Sequence, residues 1–336
     1  MVFPVQTPNS LAVSVIIPTY NRVHCVGEAI ESVLAQDPPA DEVIVVDDGS
    51  TDNTADVLAA YGNRITVLHQ VNAGAAAARN TGIKHAGSDW VAFLDSDDLW
   101  LPGRLAALHS DLEEAEDDVV AHTGDMLLTG PGYSQRLYEL RGLNVPRGNA
   151  EKVTDALARI LPGIFPTVTA MRRDAALGAG GFREGMHVHE DTALFSVLAL
   201  QGSWMFTGDV LGEVRRLPND NTALVRLFDD NPVEAYSLIE RHLRDLMQQR
   251  LTPAQKSLVK RHLSGALINR AAAEYSTGTG NHRQTLVQMA RTHPSALKGW
   301  LKLIPPFSLG RLGYKFILKR NPFTRAVHQE SAQVSE

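Results

Sequence analysis

Three carboxylates, Asp95, Asp97 and Asp98, crowd directly behind the apolar run Val91-Ala92-Phe93-Leu94. Gathering them costs mutual repulsion at neutral pH, and a divalent cation held by two or more of their oxygens would relieve it. A hard ion held this way takes phosphate on its remaining positions, as in the diphosphate of a nucleotide. The competing reading is a solvated turn in which Asp98 caps the helix that follows.

Other residues could share that chemistry. Asp47 and Asp48 follow the run Glu42–Val46, where a carboxylate can accept a hydrogen bond from a ligand such as the imide N–H of a base, or can close an Asx turn. Arg79 lies in an Ala-rich stretch; its guanidinium fork suits phosphate oxygens, the alternative being a solvated helix charge. Glu190 and Asp191 open the apolar segment Ala193–Leu200. One of them could take a proton from an attacking hydroxyl, or Asp191 could simply cap the helix. His187 and His189 lack the Cys or His partners of a zinc site.

These groups need a scaffold. Val13–Ile17, closed by Pro18, reads as a first central strand, and Val26, Ile30, Val33 and Leu34 form one helical stripe. With the second strand Glu42–Val46 they make a βαβ unit, which winds right-handed into a parallel sheet. Ser50 or Thr51 is expected to cap a helix running toward Tyr61, Ile65–Leu68 is a third strand, and Asn72-Ala73-Gly74 opens the helix bearing Arg79, Asn80 and Lys84. This alternation predicts an open doubly wound α/β sheet, with ligands beyond the carboxyl ends of its strands. Pro18 to Asn21, Asp47 to Ser50 and Asp95 to Asp98 occupy those ends.

Beyond Trp100 the pattern is mixed: a helix from Pro102 to about Ala115, a strand at Val119–Thr123, a hairpin from Met126 to Leu140, a strand at Ile164–Met171, and short strands at Trp204–Phe206 and Val210–Leu217. Helices are expected at Pro232–Gln249, Pro253–Tyr275 and His282–Arg291. The expected division is a catalytic sheet domain over residues 1–230 and a helical region over 231–336. The latter ends in a basic segment, Lys298 to Arg325, whose interleaved bulky apolar residues suit an anionic membrane surface or a helix covering the core. The last residues, Gln329 to Glu336, are small and polar and are expected to be disordered.

With 336 residues, 44% hydrophobic and 21% charged, the composition is that of a globular protein with a sizeable core. A net charge of -6 argues against nucleic acid as the main partner, and the single Cys25 excludes an internal disulfide. Met1 to Ser10 shows no signal peptide and no stretch reaches the length of a membrane span, so a cytoplasmic location is expected, with peripheral contact at the inner face of the cell membrane left open.

Taken in order, Val13–Arg22 (VSVIIPTYNR), Glu42–Thr51 (EVIVVDDGST), Asn72–Gly82 (NAGAAAARNTG), Val91–Trp100 and Gly180–Asp191 resemble the family 2 glycosyltransferases of the GT-A fold. The resemblance covers about Val13 to Leu217 and implies an α/β GT-A doubly wound mixed sheet with a C-terminal helical region. It implies an inverting, metal-dependent enzyme of cell-surface polysaccharide or glycolipid synthesis, moving a sugar from a nucleotide-diphospho-sugar, commonly a UDP-sugar, to a hydroxyl on a glycan or lipid-linked acceptor. On that likeness Pro18, Thr19 and Tyr20 form the nucleoside loop and Asp48 meets the uracil. Asn72 and Arg79 approach base and diphosphate, and Asp95-Ser96-Asp97 is the Asp-x-Asp element. Asp97, with Asp95 beside it nearer the ribose and sugar, would hold Mn²⁺ or Mg²⁺. Asp191, second of the Glu190-Asp191 pair, matches the catalytic base. Arg215 and Arg216 match acceptor or phosphate contacts only loosely, and the loop Arg183–His189 departs from the commoner acidic residue after Gly-Gly-Phe. A sugar nucleotidyltransferase and a non-catalytic nucleotide-sugar-binding protein are the alternatives.

Overall fold

A computed structural model describes residues 11–113, 115–215 and 226–292. Arg216, the basic segment Lys298 to Arg325 and the polar end lie outside the described residues. The chain forms two compact units; among described residues the first holds 11–156, 164–185 and 190–215, and the second holds 157–163, 186–189 and 226–292.

The first unit runs β1 (Val13–Thr19), α1 (Val26–Leu34), β2 (Glu42–Asp47), α2 (Thr54–Ala59), β3 (Thr66–His69), α3 (Ala75–His85), β4 (Trp90–Phe93), β5 (Leu99–Trp100), α4 (Arg104–Leu112), β6 (Val119–Gly130), β7 (Tyr133–Arg136), α5 (Leu137–Arg141) and β8 (Glu151–Val153). After α6 (Leu157–Ile160), which belongs to the second unit, it resumes with β9 (Thr169–Arg172), α7 (Arg173–Gly178), α8 (Glu190–Gln201) and β10 (Ser203–Arg215). One ten-stranded mixed sheet follows the order β3-β2-β1-β4-β9-β6-β10-β5, with β7 on β6 and β8 on β10. Strands β1 to β4 pair in parallel, and β9 inserts antiparallel between β4 and β6.

Strand alternation sorts the core into two faces. Val13, Val15 and Ile17 of β1, with Val43 and Val45 of β2, pack against Val26, Ile30 and Val33 of α1, Leu58 of α2, and Leu105 and Leu108 of α4. On the opposite face Ile16 meets α3, and a Cβ at Gly82 would lie 2.4 Å from the Ile16 side chain. Small residues at Ala76, Ala77, Ala78 and Gly82 let α3 lie close on the sheet, which carries Arg79 and Asn80 inward. Helices on both faces make the sheet doubly wound.

Several local expectations are revised. Two short strands were expected at Trp204–Phe206 and Val210–Leu217; they are one strand, β10, bulged between Phe206 and Val210. The strand at Val119 and the first arm of the hairpin are likewise one strand, β6, which stays paired with β10 through local register shifts and with β7 as far as Gly130. Neither Ser50 nor Thr51 caps α2. The N-cap position is Asn53, without a side-chain cap bond; the Asp52 carboxylate before it accepts from the Thr54 N–H (3.0 Å) and hydroxyl, and Ser50 Oγ is engaged by the Asn21 N–H at 2.9 Å.

The second unit includes α9 (Arg226–Asp230), α10 (Pro232–Leu246), α11 (Pro253–Thr277) and α12 (His282–Thr292). Its starts are written in sequence: Pro232 follows Asn231, whose side chain accepts from Glu234 N–H, and Thr252 forms a capping box with Gln255. Gly278, at φ +69°, ends α11. Among the described residues no helix is long and apolar enough to cross a membrane.

Candidate active site

The loops after β1, β2 and β3 are laced into one rim. Asn21 Oδ1 accepts from Thr51 N–H at 2.7 Å and Asp52 N–H at 3.3 Å, and Arg22 N–H donates to Thr54 Oγ1 at 2.9 Å. Asp48 gathers the third loop: Oδ1 accepts from Gln70 Nε2 (2.6 Å) and Ala73 N–H (2.9 Å), and Oδ2 from Gly74 N–H (2.8 Å). A carboxylate offers about four acceptor positions, so three bonds leave room for one more donor. Asp47 closes a turn on Ser50 N–H (2.9 Å) and faces His69, 3.2 Å away. The backbone at Gly49, with φ +78°, favours glycine, and it sits tightly on the third loop: a Cβ would meet Asn72 N at 3.0 Å and Gln70 O at 3.2 Å.

At this rim Pro18 is buried, past the last β1–β4 pair of Ile16 with Phe93, where the ladder on that side has ended. Thr19 is buried and its Oγ1 has no hydrogen-bond partner among the described residues. Tyr20 and Asn72 are exposed, while Ser96 is buried.

Arg79 is the centre of the acidic cluster. It is 3% exposed, and its guanidinium lies over the Phe182 ring, 5.2 Å from the centroid. Nη2 donates to Asp95 Oδ1 at 2.6 Å and Nη1 to Glu190 Oε1 at 3.0 Å. Burial alone would lower its pKa, but Asp95 and Glu190 outweigh that and hold it charged. Two acids 95 positions apart in the chain thus share one cation.

Next to Glu190, Asp191 accepts from the N–H and hydroxyl of Thr192. Desolvation, then the charge of Glu190, pushes its pKa up to about 7, against the pull of Thr192 and Arg79. A carboxylate poised there can accept a proton near neutral pH. Glu190 is buried and tied to Arg79, which gives the neighbouring acids separate work.

The remaining acids are neutralised one by one. Asp97 Oδ2 lies 3.2 Å from Arg22 Nη2. Asp98 does not cap α4, whose first turn is preceded by Gly103; it is buried, accepting from Thr167 Oγ1 at 2.8 Å and Arg215 N–H at 3.2 Å. Desolvation and the nearby Asp97 and Asp95 drive its pKa well above the ordinary value. Arg215 donates from Nε to the Asp97 carbonyl (2.9 Å) and also pairs with Glu28, fastening the end of β10 to the acidic loop.

Asp95 and Asp97 keep 28% and 25% of their side-chain surface exposed and offer hard oxygen donors. Among the described residues no group of three or more His, Cys, Asp or Glu could hold a metal alone. A pair of carboxylates suits an ion of the Mg²⁺ type, which keeps waters and takes substrate phosphates to complete its shell.

Sequence reasoning gave no role to Asn80, Gln70, Arg22, Phe182 or Thr167. Asn80 exchanges two hydrogen bonds with Phe182, donating to its carbonyl at 2.8 Å and accepting from its N–H at 2.7 Å. That clamp seats the Gly180-Gly181-Phe182 turn on α3. Nothing short of pairing these distant segments would have found it.

The model for the family described as "Glycosyl transferase family 2" matches residues 14–177. An uncharacterized glycosyltransferase of Rickettsia typhi is 30% identical over 226 residues, covering 66% of this chain and 70% of that protein. The chain belongs to glycosyl transferase family 2. Another uncharacterized glycosyltransferase, from Rickettsia conorii, is 32% identical over 221 residues, which are 65% of this chain but 35% of that relative. The matched part of the chain therefore spans about a third of the length of that relative. Among solved structures, S. aureus TarS 1-349 in complex with UDP-GlcNAc superposes with a TM-score of 0.64 at 21% identity, covering 96% of this chain and 92% of that one. This likeness gives the fold, GT-A. The family 2 motifs fall on the rim and the acidic cluster described above.

Proposed function

We propose that this family 2 chain transfers a sugar from a nucleotide-diphospho-sugar, a UDP-sugar, to a hydroxyl on a glycan or lipid-linked acceptor, with inversion, in cell-surface polysaccharide or glycolipid synthesis at the inner face of the membrane. One observation carries the reading: Arg79 joins Asp95 from the acidic loop to Glu190 at the head of α8, with the raised-pKa Asp191 beside it. Binding of UDP-GlcNAc by TarS supports the choice of a uridine donor. The unpartnered Thr19 Oγ1 and the open acceptor position of Asp48 suit a nucleoside at the rim.

In this reading the bond from the anomeric carbon to the diphosphate breaks as the acceptor oxygen attacks from the opposite face. Asp191 takes the acceptor proton. The sugar ring passes through oxocarbenium character, and one displacement inverts it. Arg79, fixed on Phe182 and shared between Asp95 and Glu190, holds these two acids in place beside Asp191. Mn²⁺ or Mg²⁺ at Asp97 and Asp95 would supply Lewis-acid stabilisation of the charge on the departing diphosphate.

A panel of nucleotide-sugars tested for thermal stabilisation with Mn²⁺, followed by nucleotide release with candidate acceptors, tests the reading, because a ligand that binds the folded chain raises its melting point. Stabilisation by none of the panel would overturn it.

A further inference from the structure

The second unit carries a cluster of arginines that plays no part in the acidic site. Helices α10, α11 and α12 line an open cavity of about 530 Å³ with Arg244, Arg270, Arg291, Glu240, Gln288 and Thr292. That is ample room for a small ligand.

The carboxylates here are fully employed. Glu240, 6% exposed, gives Oε1 to Arg244 Nε at 2.7 Å and Oε2 to Arg270 Nη1 at 2.7 Å. Glu274, 2% exposed, gives Oε1 to Arg270 Nε at 3.0 Å and Oε2 to Thr285 Oγ1 at 2.8 Å. Arg270 is thus gripped by two buried acids from two helices, its planar fork fixed before any ligand arrives. A fixed guanidinium loses little freedom on binding.

Positive charge is in excess here: three arginines and one glutamate line the cavity, and a second glutamate, Glu274, pairs with Arg270. Arg291 lines it without an acidic partner among the described residues, and the Nη groups of Arg244 are not used by Glu240. Guanidinium groups lining one open cavity suit phosphate oxygens.

We propose that the cleft formed by α10, α11 and α12 is an anion site that binds a phosphate group through Arg244, Arg270 and Arg291. The proposal stands apart from the sugar-transfer reading, and its test reads binding alone.

Inorganic pyrophosphate, titrated calorimetrically into the full chain without metal, is the probe. A binding event that weakens with rising salt is expected, and Arg291→Gln should weaken it at least about tenfold, the loss of a charge-assisted contact. That variant leaves the pairs of Glu240 and Glu274 in place, and an unchanged circular dichroism spectrum verifies folding. Arg291→Lys, keeping a point charge, should recover part of the affinity. Flotation with phosphatidylcholine vesicles, with and without phosphatidic acid, separates two sources: recruitment by phosphatidic acid that Arg291→Gln abolishes identifies a lipid headgroup, while pyrophosphate binding without recruitment identifies a soluble phosphate. No pyrophosphate binding, or equal affinity in the wild type and Arg291→Gln, overturns the site.

Discussion

Arg79 and Glu190, 111 residues apart, meet through a buried hydrogen bond of 3.0 Å, and the same guanidinium reaches Asp95 at 2.6 Å. This one cation holds the acidic loop after β4 to the first turn of α8. Removing it leaves Glu190 buried with its charge uncompensated. Arg79→Gln should therefore destabilise the first unit by about 3–5 kcal/mol, the range for breaking a buried pair from one side. Equilibrium urea unfolding reads the change; a loss below about 1 kcal/mol would show that Glu190 finds another partner.

Asp191 gives a pH signature. Its folded pKa of about 7 lies above the ordinary 3.8, and a base works only when ionised, so kcat/KM should rise with pH through about 7 and level off above. Asp191→Asn should lower turnover at least about a hundredfold while nucleotide binding persists. Stability runs the other way. A raised carboxylate pKa means the folded state resists ionisation, so wild-type stability falls as pH climbs from about 4 to about 7. The melting point of Asp191→Asn should thus gain on the wild type across that window; a constant difference between the two would remove the pKa assignment.

For the metal, nucleotide release should vanish in chelator and in Asp97→Ala, and return with Mn²⁺ or Mg²⁺ in the wild type alone. Isothermal titration of Mn²⁺ with UDP present checks this independently of turnover. Full activity in chelator would retire the ion.

The clamp between Asn80 and the glycine turn is testable by two substitutions. Asn80→Ala strips partners from the Phe182 N–H and carbonyl and should cost about 1–3 kcal/mol. Gly181→Ala faces a double penalty, because φ is +73° and the new Cβ would lie 2.5 Å from Asn80 Oδ1; a loss of about 1–3 kcal/mol is expected. Thermal denaturation of both variants suffices, and wild-type melting in Gly181→Ala would show the turn to be loose.

Much of this was legible beforehand. The β-branched runs, the Ala-rich helix and the capping residues of α10 and α11 act locally, over a few positions, and the elements follow from them. The acids stood out because three carboxylates behind an apolar strand demand an explanation. Their partners were hidden. That Arg22 would neutralise Asp97, that Thr167 would hold Asp98, and that Gln70 would share Asp48 with the backbone of the next loop depends on chain crossings 22 to 75 residues apart. No spacing rule encodes such a crossing. The long strand β10 was read as two pieces for a related reason: a bulge at Phe206 to Val210 interrupts alternation without interrupting pairing.

The stapling of α3 to the Gly180-Gly181-Phe182 turn also sets a schedule for biosynthesis. Strands β1 to β4 and the rim emerge from the ribosome about a hundred residues before the turn and the acids at the head of α8. A nascent chain halted between them would carry the rim loops alone, with Arg79 still waiting for Glu190 and Asn80 for Phe182 until synthesis had passed the head of α8.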